Sequence, residues 1–579
     1  MDGRLQRRAQ RHEVGLTPLR QLAVAYAIGL VPALAVAIGQ PAWSRVDEPA
    51  HYDVIAQYAA GVYPHDSVTT IRPETLEIME RTGNYGFVVD NAYQRPDGRF
   101  VPMPAGLTDA EHVLWNRRHV WQYSYEAFQP PLYYALALPA WKLGDAIGGA
   151  FGALYAVRVF DALLAALLSP LAMLLALRVS SQPGVGWAAA ILTAAMPGVD
   201  ANLTSVTNDV MVSVLGGATL YAAISGPATL RRALVTGVLL GLAVLAKTTA
   251  LALVPAVVAA LLWHRNWRAT GAALGATAVI VLPWLVSNVV VYGEVVTTRE
   301  QTAMSAFPAR TGALDFWSVS TLHSFVTFWS GDPFLSLFTA VPLALVAALL
   351  CALAIAGLLR APRSRELLVV TVAAVAAGLA SITSPILAAF NAPGRLAYVG
   401  LTAVTALVAV GLWLELRSWR LRGAAVGLYA APAVLALAVL CIPTEATAGP
   451  GQPSAIAASR AVFRGGSFNQ VYFELQNCVV DRDGMTWLGV VVINASGSAA
   501  EWSQTAEIRT GNENLATSDY ALSTHLPMTL ASSSHVFGWL WLGPHSRLSR
   551  AGPVTVRFRD VATDGYHAIG DVTITTALC

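Results

Sequence analysis

LRQLAVAYAIGLVPALAVAIG, residues Leu19–Gly39, is apolar without a break from Leu22 onward and is led by Arg4, Arg7, Arg8 and Arg11. About 20 such residues, wound as a helix, cross the hydrocarbon core of a bilayer. A cleaved signal peptide is the competing reading. The run is long for a signal and further apolar runs follow it, so an uncleaved anchor is expected.

Beyond the polar stretch 41–128, runs of the same kind recur near 154–177, 184–199, 209–224, 231–246, 249–263, 270–292, 334–359, 366–388, 395–415 and 423–442. With the first, about 11 transmembrane helices are expected. The arginines test that count. Arg178, then Arg231 with Arg232, Arg265 with Arg268, Arg360 with Arg363 and Arg365, and Arg417 with Arg420 and Arg422 all fall between alternate spans. Placing the N-terminus in the cytoplasm makes every one of these clusters cytoplasmic, as the positive-inside rule requires. The apolar segment Pro130 to Leu143 is too short to span and reads as a re-entrant or interfacial helix. Counting it as a crossing would turn the arginine clusters outside.

Composition agrees. Of 579 residues, 55% are hydrophobic and 12% charged, about half the usual charged share, and the mean hydropathy is +0.53. Thirty-seven basic against 35 acidic residues leave a net charge of +2, too little to recruit nucleic acid. A cytosolic enzyme, a disordered chain and a secreted repeat protein are excluded for the chain as a whole.

Residues 443–579 change character. QVYFELQ, TWLGVVVIN, AEIRT, HVFGWLWLG, VTVRFRD and DVTITTAL are short β-prone runs separated by Gly, Asn, Asp and Ser, the pattern of a compact all-β domain, sandwich-like. The expected organisation is a basic cytoplasmic tail over 1–18, a transmembrane domain over 19–442 with a catalytic outer loop at 41–153, and an extracytoplasmic β domain over 443–579. Cys351 and Cys441 lie in apolar runs. Cys478 and Cys579 lie in the β region, where an oxidising compartment would let them pair.

The chemistry concentrates after the first span, in RVDEPAHYD. Asp47 and Glu48 are adjacent carboxylates, with His51 one helical turn from Asp47. A carboxylate at a membrane surface suits a general base, because water keeps it ionised while the low-dielectric rim raises its basicity. Asp47 also reads as the cap of a helix starting near Pro49, and the two roles are compatible. A second signal is YSYEAFQPPLYY, where Glu126 and Gln129 lead into two prolines that favour a helix start. Tyr123, Tyr125, Tyr133 and Tyr134 in the same stretch suit a membrane interface. Lys247 and Arg395 fall, like Asp47, Glu126 and Asp209, at the expected outer ends of spans. Each of the two cations alternatively reads as a side chain snorkelling to the surface.

Together these motifs resemble the membrane-embedded glycosyltransferases of the C superfold (GT-C), which use polyprenyl-phosphate sugars. In those enzymes a first outer loop opens with Asp-Glu, and a later Glu-x-x-Gln/Lys/His-Pro-Pro-Leu returns the chain to the bilayer. Supporting pieces follow in the family's order: TNDV with Asn208 and Asp209, GLAVLAKTTALALVP with Lys247, PWLVSNVVVYGE with Asn288 and Tyr292, and APGRLAYVG with Arg395. The resemblance covers roughly residues 19–415 and is closest to bacterial relatives of protein mannosyltransferases and of lipid A aminoarabinose transferases. Gln129, Leu396 and Ser287 stand where the family more often has Lys or His, Tyr, and Arg.

The resemblance implies a polytopic enzyme of the cytoplasmic membrane that moves a sugar, with inversion, from a polyprenyl-phosphate donor to an acceptor hydroxyl. Asp47, Glu48 and Glu126 would be its catalytic residues. Arg395, Lys247, Gln129, His51, Asn208 and Asp209 would bind the donor. The acceptor, whether protein, glycan, glycolipid or exported metabolite, is left open, as is the sugar. A transporter or flippase of a lipid-linked sugar is the alternative, although such proteins usually bind near the midplane and carry internal repeats. Asp47, Glu48, His51 and Glu126 offer oxygen and nitrogen ligands for a divalent cation; no spacing among them is diagnostic, so a metal is left open.

Overall fold

In the computed structural model the described residues are 17–40, 42–43, 47–63, 71–75, 78, 124, 126–263, 265–293, 295, 313–330, 337–388 and 394–441, then strand-forming stretches between 454 and 577. The N-terminal tail, most of the outer loop, Tyr123, Tyr125 and Cys579 lie outside them.

Helices α1 (Pro18–Gly39), α2 (Glu48–Ala59), α3 (Leu132–Ala165), α4 (Leu168–Val179), α5 (Pro183–Ala194), α6 (Pro197–Leu203), α7 (Asp209–Ile224) and α8 (Leu230–Ala246) come first. After a 3-10 turn at Thr248–Leu253 come α9 (Val254–Leu262), α10 (Trp267–Tyr292), α11 (Ala313–Ser330), α12 (Leu337–Leu358) and α13 (Arg365–Ala388). A second 3-10 turn, Gly394–Gly400, leads into α14 (Leu401–Glu415) and α15 (Trp419–Cys441). The chain is a multi-pass membrane protein. Among the described residues seven helical stretches are long and apolar enough to cross a membrane. The difference from eleven lies at 184–199, 209–224, 231–246 and 249–263. The helices there, α5, α7, α8 and α9, have 12, 16, 17 and 9 residues, fewer than the roughly 20 that one unaided crossing needs.

Two features orient the bundle. Arg365 donates to the carbonyls of Ala223, Gly226 and Ala260, so it satisfies acceptors that the ends of α7 and α9 would otherwise leave bare. Asp209 starts α7 at the other end, about 24 Å away at 1.5 Å per residue. The second feature is a hairpin within α3. The helical geometry breaks at Gly148 and Gly149, the latter at φ 61. A Cβ on Gly144 would lie 2.2 Å from the Gly152 carbonyl oxygen, an approach only a reversing chain makes. Tyr133 on one arm donates to Asp161 on the other at 2.7 Å, so both arms leave and return to one level. The segment 130–143 thus forms the first arm of a doubled-back helix, and the chain continues from Asp161 into α4 and Arg178.

The tail forms two antiparallel sheets. One has the order β1 (Ser454–Arg464), β2 (Gln470–Val480), β3 (Met485–Asn494), β8 (Ser534–Pro544). The other places β9 (Val554–Thr563) between β10 (Ala568–Thr576) and the pair β5 (Ala506–Thr510) and β4 (Ala500–Glu501), with β6 (Glu513–Ser518) and β7 (Thr529–Leu530) outermost. Alternation sets the faces: Val554, Val556 and Phe558 of β9 are buried, while Thr555, Arg557 and Arg559 point outward. Phe473 of the first sheet stacks on Phe558 of the second with ring centres 4.4 Å apart, so the sheets share one core. Cys478 in β2 is buried and disulfide-bonded.

Candidate active site

The site gathers where α2 begins, α7 begins, α8 ends and the second 3-10 turn begins. Asp47 immediately precedes α2 with a left-handed backbone (φ 51), a conformation that Asp tolerates better than most residues. Its backbone carbonyl accepts from the His51 amide at 3.0 Å, but its side chain makes no capping bond to α2. The carboxylate instead accepts from the Arg395 guanidinium. A second arm of that guanidinium lies 3.7 Å from Asp209, and the other Asp209 oxygen accepts from Lys247 at 2.7 Å. Four of the expected residues therefore form one alternating chain of charge: Asp47, Arg395, Asp209, Lys247.

Local structure explains why each reaches the centre. Lys247 is an extended residue (φ −161, ψ 138) between the end of α8 and a 3-10 turn, so its side chain leaves the helix axis. Gly394 passes so close to α11 that a Cβ would lie 2.2 Å from the Phe328 nitrogen. Its amide donates to Thr327 at 2.6 Å. The backbone before Arg395 is thereby pinned, leaving the long side chain as the adjustable part.

A second cluster adjoins this chain. His51 shares a 2.8 Å hydrogen bond with Tyr134 and lies 3.7 Å from Glu126. Burial, together with the nearby Lys247 charge, depresses His51 to about 3, so the ring is neutral. Burial and the neighbouring Asp47 charge push Glu126 up to about 8, so it is a protonated acid at neutral pH. Among the described residues one oxygen of Glu126 is buried with no hydrogen-bond partner. Gln129 accepts from Asn208 at 3.3 Å, and Asn208 immediately precedes Asp209. The structure thus brings together all nine expected residues except Glu48, which faces away.

Glu48 is enclosed. Arg158 grips both its oxygens at 2.8 and 2.7 Å, and the Val206 amide donates to one of them at 2.9 Å. Arg158 also donates to the Gln40 carbonyl at 2.9 Å, so the pair ties the end of α1, the start of α2, the second arm of α3 and the turn before α7. Both oxygens of Glu48 are thus engaged inside the protein, away from the Asp47–Arg395 contact. Arg158 and Asp161 were not among the expected site residues, although charged side chains inside an apolar run are a recognisable signal. Tyr133 completes the frame by accepting from the Thr207 amide at 3.0 Å. Asn288 donates to the Val295 carbonyl at 3.2 Å, outside these networks. Among the described residues no group of three His, Cys, Asp or Glu side chains is placed to hold a metal ion.

Residues 140–295 match the family model described as dolichyl-phosphate-mannose-protein mannosyltransferase (PMT). That stretch carries Arg158, Asn208, Asp209 and Lys247, and the match over it bears out the resemblance, read from the motifs, to glycosyltransferases that use polyprenyl-phosphate sugars. No curated protein matches the chain. Among solved structures it is similar to ArnT from Cupriavidus metallidurans bound to undecaprenyl phosphate, at 17% identity over 73% of this chain and 76% of that one, with a TM-score of 0.44. It is also similar to the apo oligosaccharyltransferase of Archaeoglobus fulgidus, at 14% identity over 74% and 57%, with a TM-score of 0.39.

Proposed function

We propose that this protein is an inverting glycosyltransferase that moves a sugar from a polyprenyl phosphate to an acceptor hydroxyl at the outer face of the cytoplasmic membrane. The observation that carries the reading is the chain Asp47–Arg395–Asp209–Lys247, assembled from residues up to 348 positions apart. Transfer from a lipid phosphate needs two things: a base for the acceptor proton and cations for the charge growing on the leaving phosphate. Asp47 is the partly exposed carboxylate that fits the first role. Arg395, with a planar fork, and Lys247, a point charge, fit the second.

In the step, the acceptor oxygen bonds to the anomeric carbon as its proton passes to Asp47. The bond from that carbon to the phosphate oxygen breaks, and its electron pair stays on the phosphate. Attack opposite the lipid gives inversion. The protonated Glu126, neutral His51 and Tyr134 offer hydrogen bonds to sugar hydroxyls beside the reacting centre. Orientation follows from the arginines: the charge cluster of Asp209 and the Arg365 end lie at opposite ends of α7, so arginines inside put the site outside. The β domain, after the last helix, would share that side.

The test is reconstitution with a defined short-chain polyprenyl-phosphate sugar. Asp47→Asn should abolish transfer while retaining donor binding. Wild-type turnover by this variant would remove Asp47 as the base. Mass spectrometry of the lipid copurifying with Asp47→Asn would name the sugar.

A further inference from the structure

We infer that Arg395 is exchanged during turnover between Asp47 and the donor phosphate, so that the base is released only by the substrate that makes it useful. The inference rests on the functional reading above and adds an order of events to it.

The charge count motivates it. Asp47 and Asp209 carry two negative charges, Lys247 and Arg395 two positive ones, and the four are already matched in pairs. A lipid-phosphate sugar, a phosphodiester, adds one further negative charge to this balanced set. Lys247 is the less available cation: its contact with Asp209 is 2.7 Å and almost fully enclosed, with side chains 9% and 2% exposed. Arg395 and Asp47 are 16% and 21% exposed, so water and ligand reach that contact. The guanidinium is also held asymmetrically, in contact with Asp47 but 3.7 Å from Asp209. Its backbone is pinned at Gly394, which leaves side-chain rotation as the inexpensive motion. The phosphate therefore competes with Asp47 for one fork.

The same exchange matches the chemistry as it proceeds. Before the donor arrives, the carboxylate held by Arg395 is a poor base, because an ion pair stabilises its charged form. Phosphate binding draws the fork away and raises the basicity of Asp47. When Asp47 takes the acceptor proton it loses its charge, and with it the attraction that held Arg395 at that carboxylate. At that moment the leaving phosphate gains its second charge, reaching about −1.5 to −2 as a monoester near neutral pH. One cation thus serves the two anions in turn. Donor must bind before acceptor for the base to act.

A double-mutant cycle on binding of a short-chain polyprenyl phosphate separates this from ordinary repulsion. Asp47→Asn should tighten binding on the order of tenfold, since Arg395 no longer has to be taken from a carboxylate. Arg395→Ala should weaken it. Adding Asp47→Asn to Arg395→Ala should then change affinity by less than about twofold. A gain that persists without Arg395 would mean simple charge repulsion, and no gain from Asp47→Asn would mean no competition; either overturns the exchange while leaving the donor class intact. Failure of the wild type to bind the lipid phosphate would overturn the functional reading with it. Asp47→Ser provides a second measurement of the same cycle should Asp47→Asn fold poorly.

Discussion

Glu48 and Arg158, 110 positions apart, form a two-point ion pair from which solvent is fully excluded. Its neighbour Asp47 turns the opposite way, into contact with Arg395. Adjacent carboxylates in one sequence motif thus differ in setting: one is locked inside the protein and the other is partly exposed beside Arg395. The backbone at Asp47, where the two directions separate, is left-handed.

Removing one member of an enclosed pair strands the other's charge, at a cost of about 3–5 kcal/mol. Arg158→Met should therefore lower stability by that order, measured as a loss of thermal midpoint in detergent. Glu48→Gln should cost a similar amount, because it leaves the Arg158 charge buried and sets an amide N–H against a group that donates to Glu48. Both should reduce kcat more than they weaken donor binding. A variant pair with full stability and full turnover would mean that the lock does not position Asp47.

Glu126 makes a pH prediction. Its acid is raised from an ordinary 4.5 to about 8, so between those values the folded protein holds a proton that the unfolded chain has released. Stability must then fall as pH rises from 4.5 to 8, since proton binding favours the folded state. His51 acts on the other flank. It is neutral when folded but protonated when unfolded below pH 6.5, so its contribution is lost as pH falls from 6.5 toward 3. Glu126→Gln, which mimics the protonated acid, should flatten the alkaline decline in melting midpoint. An unchanged slope in this variant would remove Glu126 as its source.

The orientation is open to test without substrate. Cysteines placed at Ser364 and Ser418, beside the arginine clusters, should label only with a membrane-permeant thiol reagent. A cysteine at the exposed Val62, just after α2, should label with an impermeant one. Impermeant labelling at Ser364 in intact cells would reverse the assignment of sides.

The β domain carries its own check on compartment. Cys478 is disulfide-bonded, and the pairing expected from the sequence is with Cys579. Alkylation of unreduced protein followed by peptide mapping should find Cys478 and Cys579 linked and Cys351 free. A closure of about 100 residues contributes up to roughly 4–5 kcal/mol in the loop-entropy account, so reduction should lower the domain's melting midpoint. A free thiol at Cys478 in native membranes would argue against an oxidising location.

Length and hydropathy alone determine that this chain is a multi-pass membrane protein ending in β structure, because a bilayer core imposes a fixed length on every apolar helix that crosses it. The spacing of arginines gives the segments an expected order by side. Residue type marks Asp47, Asp209, Lys247 and Arg395, since a charge beside hydrocarbon is costly enough to stand out. The short helices α5, α7, α8 and α9 could not be counted this way: whether a brief apolar run spans depends on the neighbours that shield its ends. Nor does sequence say which of two adjacent carboxylates is exposed. That depends on Arg158, a lone cation in an apolar run, meeting Glu48 across three other elements. Hydropathy registers Arg158 as an anomaly, and only the folding back of α3 at Gly148 and Gly149 supplies its partner.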